Sequence, residues 1–245
     1  MNFFRDFGQY LYLLKSLYAK PENLAVYKKE LFRQMNDIGV GSIGIVTIIS
    51  LFIGAVTTIQ IAYQLSTPLI PIEIIGSIVE ETTILELAPT ITCLVLAGKI
   101  GSNMASEIAT MRVTEQIDAL EVMGVNVSSF LIVPKVLGSL MIIPSLIIVS
   151  AFVGIAGGII AGEMSGILTK TEFMLGAEEY FKSYTLMIMI IKSFTNAFII
   201  SSISCFQGFY VKGGALEVGA ASTRAVVYSC ILILFADFMI AHLFL

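Results

Sequence analysis

The chain contains 245 residues, of which 57% are hydrophobic and only 13% are charged, and its formal net charge is −4. A soluble domain carries roughly 25% charged residues, so this composition indicates an α-helical integral membrane protein. The chain also has no basic tract of the kind that binds nucleic acid.

The first 36 residues, 1–36, are amphipathic. In 3–17, aromatic residues and leucines recur at helical spacing, with polar residues such as Arg5 and Gln9 between them. A signal peptide would have an uninterrupted apolar centre and a cleavage site of small residues. We therefore expect a helix that lies in the membrane surface with its apolar face towards lipid, followed by a second basic amphipathic stretch.

Five apolar segments follow. A helix needs about 20 residues to cross the hydrocarbon core of a bilayer. We predict transmembrane helices, within a single domain over 1–245, at 38–63, 84–111, 130–162, 184–210 and 224–245.

The second segment is unusual, because Glu86 and Pro89 lie near its start and its apolar run ends at Gly98-Lys99. Broken backbone at membrane depth is tolerated only inside protein or beside a cavity. This segment is therefore expected to be a kinked or tilted helix that continues towards Arg112, buried against its neighbours.

The third segment carries a glycine at every fourth position in its second half. Gly154, Gly158 and Gly162 form a ridge of small residues, which allows another helix to approach closely. The spacing does not decide whether that helix belongs to the same chain or to a second copy.

Positive charge is distributed unevenly between the two sides of the predicted spans. Most of the 14 Lys and Arg residues lie in the N-terminal region, in 97–135 and in the loop before the fifth segment, whereas the opposite loops contain Lys170 and Lys182. Positively charged loops tend to stay in the cytoplasm. The N-terminus is therefore predicted to be cytoplasmic and the C-terminus, after five spans, to lie on the opposite side.

A polar stretch, 97–124, separates the second and third segments and contains the pattern of a short helix. Thr114 is expected to cap this helix over 114–124, with Glu115 in its first turn and Gly124 just past its end. The spacing suits a solvated loop helix and a docking helix equally. Its apolar face consists of Ile117, Leu120 and Met123, and its acidic face of Glu115, Asp118 and Glu121.

Three motifs are better explained by packing than by chemistry. Residues 39–44 match the dinucleotide fingerprint, but no strand precedes them and they open a membrane span. Gly98-Lys99 lacks the upstream glycine and the Ser or Thr of a phosphate-binding loop. The three cysteines have no metal-ligand spacing. We expect no metal site, no cofactor and no nucleotide-hydrolysing loop in this chain.

The stretch AGKIGSNMASEIATMRVTEQIDALEVMG, 97–124, resembles the signature of the MlaE-type permeases, the membrane subunits of ABC transporters that move phospholipids between bacterial membranes. The stretch GFYVKGGALEVGAASTRAVVYS, 208–229, is similar to that family's second signature, and LELAP, 85–89, to its Arg-Glu-Leu-Gly-Pro motif. The resemblance covers nearly the whole chain. Three departures are visible: Leu85 replaces a frequent Arg, Ala88 replaces Gly, and Asn126-Val127 replace Asp-Pro.

This resemblance implies an all-α integral membrane fold, in which five transmembrane helices follow an N-terminal interfacial helix, and a homodimer in the bacterial inner membrane. It also implies a separate cytoplasmic ABC ATPase that binds ATP and Mg, a periplasmic MCE-domain protein and, in some members, a small STAS-domain protein. The short helix would be the coupling helix that docks on the ATPase. The residues expected in that contact are Thr114, Glu115, Gln116, Ile117, Asp118, Leu120 and Glu121.

A lipid cavity is expected near the opposite end of the spans. Its predicted residues are Thr57, Gln60, Ile61, Gln64, Leu65, Glu86 and Lys192. The first five lie at the end of the first segment, where Thr57, Gln60 and Gln64 share one helix face. Glu86 and Lys192 lie at similar depth, and ionisable groups inside a membrane usually face a cavity or a partner. The sequence leaves open whether these two bind a lipid headgroup or pair with each other.

Two other classes of protein compete with this interpretation. An ion- or proton-coupled secondary transporter would use Glu86 and Lys192 as a relay. However, the sequence shows no internal repeat, and this function would leave the acidic helix without a role. An intramembrane enzyme would need a nucleophile with its base, or metal ligands, within the spans, and no such set is evident. Co-purification of a soluble ATPase would favour the permease over both.

Overall fold

The computed structural model describes residues 3–16, 24–65 and 71–244. These residues form helices joined by short turns, without strands. Five stretches are long and apolar enough to cross a membrane, which confirms the predicted all-α membrane fold. The spans are Tyr27–Gln64, Glu73–Val113, Ser128–Met164, Ser183–Phe209 and Ala215–Phe244.

An amphipathic helix, α1 (Phe3–Ser16), precedes the spans. Its Tyr10 hydroxyl lies 2.9 Å from the hydroxyl of Ser202 in the fourth span, and its Leu13 is buried. Leu11 and Tyr12 are exposed apolar side chains on the same helix. One side of α1 therefore packs on the bundle and another is free to contact lipid. The connection between α1 and the second basic stretch, where Lys20-Pro21-Glu22-Asn23 is expected to break the helix, falls outside the described residues.

The first span belongs to α2 (Leu24–Gln64), a single helix of 41 residues. The basic stretch predicted as a separate amphipathic piece is therefore the start of this helix. Arg33 makes i,i+3 and i,i+4 ion pairs there with Glu30 and Asp37, at 3.7 and 3.9 Å. At 1.5 Å per residue α2 is about 60 Å long, so it extends well beyond a hydrocarbon core of about 30 Å.

The second span begins at Glu73 rather than near Ile84. Pro89 lies in its first π-helical segment, where the missing N–H of proline removes a hydrogen bond from the helix. The kink or tilt expected from Glu86 and Pro89 is thus replaced by a π-helical segment within a continuous helix. The span consists of α3 (Glu73–Thr82), π1 (Thr83–Ile91), α4 (Thr92–Leu96), π2 (Ala97–Gly101) and α5 (Ser102–Val113).

The remaining helices follow the predicted order, with two differences. The loop expected over 163–183 contains a further helix, and the fifth span starts at Ala215 instead of 224. These elements are α6 (Gln116–Val122), π3 (Ser128–Ile132), α7 (Val133–Met164), α8 (Lys170–Glu179), α9 (Ser183–Phe209) and α10 (Ala215–Phe244).

The glycine ridge of α7 packs on α2 of the same chain. A Cβ on Gly158 would lie 2.5 Å from the Thr58 hydroxyl oxygen, and one on Gly162 would lie 3.6 Å from the Thr58 methyl carbon. Gly54, which sequence reasoning did not select, permits the tightest contact, since its Cβ would lie 1.8 Å from the carbonyl oxygen of Gly154. The two backbones therefore touch, as small-residue ridges allow.

Candidate functional site

A cluster of charged and amide side chains lies where the second, fourth and fifth spans meet. Lys192 of α9 is fully buried, and its Nζ donates to Glu86 Oε1 at 2.7 Å and to the Leu85 carbonyl at 3.0 Å. Pro89 has no N–H to donate to a carbonyl of the preceding turn, and the Lys192 ammonium adds a donor to this segment at the Leu85 carbonyl. The sequence-predicted site residues Glu86 and Lys192 are thus a direct ion pair.

Asn196 and Asp237 extend this cluster. Asn196 follows Lys192 by one turn of α9, and its Nδ2 donates to Asp237 Oδ1 of α10 at 3.1 Å. Both side chains are buried, and neither Asn196 Oδ1 nor Asp237 Oδ2 has a hydrogen-bond partner among the described residues. Buried polar atoms are normally satisfied, so these two oxygens are available to a further donor. Sequence reasoning missed Asp237, although an acid inside an apolar segment was the signal that selected Glu86.

The cluster is closed at one end and open at the other. The Lys192 side chain has no exposed surface, whereas 46% of the Glu86 side chain is exposed. The Thr90 hydroxyl lies 3.5 Å from Glu86 Oε2 on the open side. A charged group that approaches the bundle surface here would therefore meet the carboxylate first.

The polar stripe of α2 is not joined to this cluster by hydrogen bonds between described residues. The Thr57 hydroxyl donates to the Ile53 carbonyl of its own helix at 2.8 Å, while Gln60 and Gln64 are exposed. Within one chain, the stripe and the charged cluster are two separate polar features.

Ile61 and Leu65, the predicted apolar walls, are half-buried and pack on α3 and α8. Their neighbours include Val79 and Phe173, both buried. These two side chains help hold the end of α2 against the second span.

The short acidic helix, α6, is built differently from the prediction at its start. The Thr114 hydroxyl donates to the Thr110 carbonyl at 2.8 Å and so closes α5 instead of capping α6. Glu115 occupies the N-cap position, outside the first turn, with a left-handed φ of 61°. The predicted Thr114 cap is wrong because the connection between α5 and α6 is too tight to leave Thr114 free. Left-handed backbone at a non-glycine residue costs about 1–2 kcal/mol.

The end of α6 is as predicted. Gly124 has φ of 84°, its N–H donates to the Glu121 carbonyl at 3.0 Å, and the Val125 N–H donates to the Leu120 carbonyl at 3.1 Å. This pair of bonds is a Schellman motif, which requires left-handed backbone and so favours glycine.

Two of the three residues of the apolar face predicted for α6, Ile117 and Leu120, are turned towards the chain's own core, whereas Met123 is exposed. Ile117 is fully buried in a cluster with Ile108 and Ile132, and Leu120 packs partly against it. The exposed apolar side chains near α6 are Val122, 89% exposed, and Met123, 69% exposed. An outside partner would therefore contact Val122, Met123 and the neighbouring acids. The acidic and polar residues Glu115, Gln116, Asp118 and Glu121 are exposed, as is Thr114.

Arg112 of α5 makes ion pairs with two acids of α6 and a cation–π contact with the end of α9, and a second ion pair joins α5 to α7. Arg112 Nη1 lies 2.7 Å from Asp118 Oδ1 and 4.0 Å from Glu121 Oε1, and its guanidinium lies 5.8 Å from the Phe209 ring centroid. Further inside, Lys135 of α7 is buried and donates to Glu107 Oε2 of α5 at 2.5 Å. Movement of α6 would therefore be transmitted to α5 and to the end of α9.

The sequence matches the family model described as Permease MlaE over residues 31–243. A probable ABC transporter permease protein of Rickettsia prowazekii is 33% identical over 97% of this chain and 90% of its own length. A probable ABC transporter permease protein of Synechocystis is 34% identical over 89% of this chain and 82% of its own length. The chloroplastic protein TRIGALACTOSYLDIACYLGLYCEROL 1 of Arabidopsis thaliana is 33% identical over 89% of this chain and 62% of its own length. The chain therefore belongs to the MlaE permease family and is the membrane-spanning permease of an ABC transporter.

Proposed function

We propose that this permease moves phospholipid between the inner and outer membranes of a bacterium, as a homodimer driven by a separate ATPase. The ATPase binds ATP and Mg on the cytoplasmic side. An MCE-domain protein receives or delivers lipid on the periplasmic side, and a small STAS-domain protein is a further candidate partner. These partners follow from the family resemblance, and the remaining argument concerns what this chain itself offers.

The observation that carries the proposal is the charged cluster of Glu86, Lys192, Asn196 and Asp237. Charges in a span are costly and are usually retained for a ligand, an ion or a partner. Here they lie beside apolar helix surfaces, with the Glu86 carboxylate open. An open carboxylate is complementary to the cationic group of a zwitterionic headgroup, and the apolar helix surfaces are complementary to the two acyl tails. The name of the Arabidopsis relative contains a galactolipid, trigalactosyldiacylglycerol, which supports a lipid as the substrate.

We assign the N-terminus, α6 and the loop before α10 to the cytoplasm, and the C-terminus and α8 to the periplasm. The start of α2 supports this assignment. Lys28, Lys29 and Arg33 lie in the part of this long helix that extends beyond the hydrocarbon core, and positive charge favours the cytoplasmic side. The ATPase would then approach from the side of α6.

Reconstitution tests the proposal. The purified homodimer with its co-purifying ATPase in vesicles is expected to hydrolyse ATP faster when phospholipid is present and to transfer labelled phospholipid to an acceptor. Transport that follows an ion or proton gradient without any ATPase would instead support a secondary transporter, in which Glu86 and Lys192 relay charge.

The docking role of α6 needs a substitution that leaves the chain's own packing intact. Leu120→Glu is unsuitable, because Leu120 packs on the buried Ile117. Val122→Glu with Met123→Glu changes only exposed side chains, and is expected to abolish ATPase co-purification while membrane insertion persists. Lys29→Glu, exposed near the start of α2, is the matched control. Normal assembly of the double variant would overturn the assignment of α6 as the coupling helix.

A further inference from the structure

Lys99 is a charged residue of the second span that neither ion-pair cluster uses. It lies within π2, between Gly98 and Ile100. The buried lysines of other spans, Lys135 and Lys192, are both paired, whereas Lys99 is only partly buried and forms no ion pair with any residue that the structure describes. Its charge is therefore not neutralised within the described chain.

The ammonium is not needed to hold its own helix together. A π-helical register loosens the ordinary hydrogen-bond ladder, but here the Ser102 hydroxyl donates to the carbonyls of Gly98 and Lys99, at 2.5 and 3.2 Å. A side chain one turn away thus already donates to these carbonyls, and the three donors of the Lys99 ammonium have no hydrogen-bond partner among the described residues.

The surface beside this ammonium is lined by glycines. Lys99 Nζ lies 3.6 Å from the position that a Cβ on Gly41 of α2 would occupy. Cβ atoms on Gly44 and Gly98 would meet no other atom within 4 Å, and Gly41, Gly44 and Gly98 are all exposed. The two helices therefore present an open depression with a positive charge at its edge.

The depth of this depression matches that of lipid phosphates. Gly41 precedes Gln64, the last residue of α2, by about 35 Å along the helix axis at 1.5 Å per residue. The hydrocarbon core is about 30 Å thick. If Gln64 lies at the periplasmic boundary, as the proposed function requires, the Lys99 ammonium lies at the cytoplasmic boundary.

We propose that Lys99, with the glycine surface of Gly41, Gly44 and Gly98, binds the phosphate of a phospholipid in the cytoplasmic leaflet. The inference rests on the proposed function for its orientation and adds a second lipid site, about 20 Å along the second span from Glu86 at 1.5 Å per residue. A phosphate oxygen accepts charge-assisted hydrogen bonds from an ammonium. Basic pockets between spans on the cytoplasmic side suit anionic headgroups. Acyl chains would lie along the glycine surface, where no side chain blocks them.

Photo-crosslinking from Gly44 tests this site. A benzophenone amino acid is placed at Gly44 in the full-length homodimer with its ATPase, in vesicles containing labelled phosphatidylglycerol. Lys99→Gln is expected to lower the crosslinking yield about tenfold, the loss of roughly one charge-assisted hydrogen bond. Lys99→Arg keeps the charge and is expected to retain the yield. Lys28→Gln, which removes an exposed charge at the same end of α2, is the matched control and should leave the yield unchanged.

Three results would overturn the inference. They are an unchanged yield with Lys99→Gln, an equal yield with a labelled diacylglycerol that lacks phosphate, and a change in self-association with Lys99→Gln that leaves crosslinking intact. The last result would show that Lys99 neutralises an acid on a second copy. If phospholipid does not stimulate ATP hydrolysis by the wild-type complex, the proposed function is overturned instead, whatever the crosslinking yield.

Discussion

The two halves of the second span each carry a glutamate that pairs with a buried lysine of another helix. In π1, Glu86 pairs with Lys192 of α9, and in α5, Glu107 pairs with Lys135 of α7. Both glutamates are about half exposed, and both lysines have almost no exposed surface. The pairs are chemically the same, so their different roles must come from what surrounds them.

Their surroundings differ in polarity and in the number of acceptors. Lys192 has a second acceptor, the Leu85 carbonyl, and lies one turn from the Asn196–Asp237 pair. Glu107 is the only acceptor found for Lys135 among the described residues, and the adjoining cluster of Leu13, Ile117 and Ile132 is apolar. A pair with spare acceptors can exchange one for a ligand, whereas a pair with a single acceptor is suited to hold two helices together. We therefore propose ligand contact for the first pair and mechanical coupling for the second.

The largest expected effect comes from removing the acid of the second pair. Glu107→Gln leaves the Lys135 charge buried without an anion, which typically costs about 3–5 kcal/mol. Lys135→Met should cost much less, because the Glu107 carboxylate that remains is half exposed and can be hydrated. Thermal unfolding in detergent, followed with a dye that reacts with the buried thiols of Cys93 and Cys205, measures both. Equal losses for the two variants would contradict the asymmetry.

The contact between α2 and α7 is expected to rank next. Gly54→Ala would place a methyl group 1.8 Å from the Gly154 carbonyl oxygen, so the two backbones must separate at a cost of about 2–3 kcal/mol. Gly154 also faces Thr83, the first residue of π1, since a Cβ on Gly154 would lie 3.0 Å from the Thr83 methyl carbon. This change should therefore disturb the Glu86 pair more than the Glu107 pair. Gly44→Ala, in the same helix with no atom near its Cβ, is the control. It should be neutral or slightly stabilising, since alanine favours helix by up to about 1 kcal/mol.

Substitution at Glu86 should separate transport from stability. Glu86→Gln leaves Lys192 with two features that Lys135 lacks, the Leu85 carbonyl as a second acceptor and the Asp237 carboxyl near the next turn. We therefore expect destabilisation of about 1–2 kcal/mol, less than at Glu107. Transport of labelled phospholipid by the assembled complex should nevertheless fall at least tenfold, because the open carboxylate is the group that a headgroup meets. The variant in which Glu86 and Lys192 exchange places should recover stability without transport. Full transport by the exchanged variant would show that the pair is purely structural.

The sequence predicted the architecture well, because five long apolar segments leave few alternatives to a helical membrane fold. It identified Glu86 and Lys192 because charge inside apolar segments is rare, but it could not establish their pairing, which depends on how α9 packs on π1. It assigned Ile117 to an outside contact because periodicity gives the faces of a helix and not which face is covered. The close backbone contact between Gly54 and Gly154 escaped notice because one glycine in a long helix has no sequence pattern of its own.

The smallest expected effect lies in α8, which packs on α3 at the same end of the second span as π1. Its start is a capping box, in which Glu172 Oε2 accepts from the Thr169 N–H at 2.8 Å and the Glu172 N–H donates to the Thr169 hydroxyl at 3.3 Å. The backbone N–H and hydroxyl of Thr169 lower the pKa of Glu172 below its ordinary value. A carboxyl whose pKa is lowered by folding stabilises the fold above its unfolded pKa of about 4.3, and this contribution disappears as the pH falls through the folded pKa.

Hydrogen exchange in 170–179 should therefore quicken for wild type, relative to Glu172→Gln, as the pH is lowered from about 7 to about 3, and the two proteins should converge at the acid end. Glu178→Gln, exposed on the same helix, is the control and should follow wild type throughout.

Gly176 holds α8 against α3 independently of the cap, since its Cβ would lie 1.8 Å from the Glu73 carbonyl oxygen. The Glu86 pair should consequently be unaffected, and phospholipid transport by Glu172→Gln should equal that of wild type. A loss of transport in this variant would mean that the start of the second span is coupled to the charged cluster, and that π1 does not isolate the two.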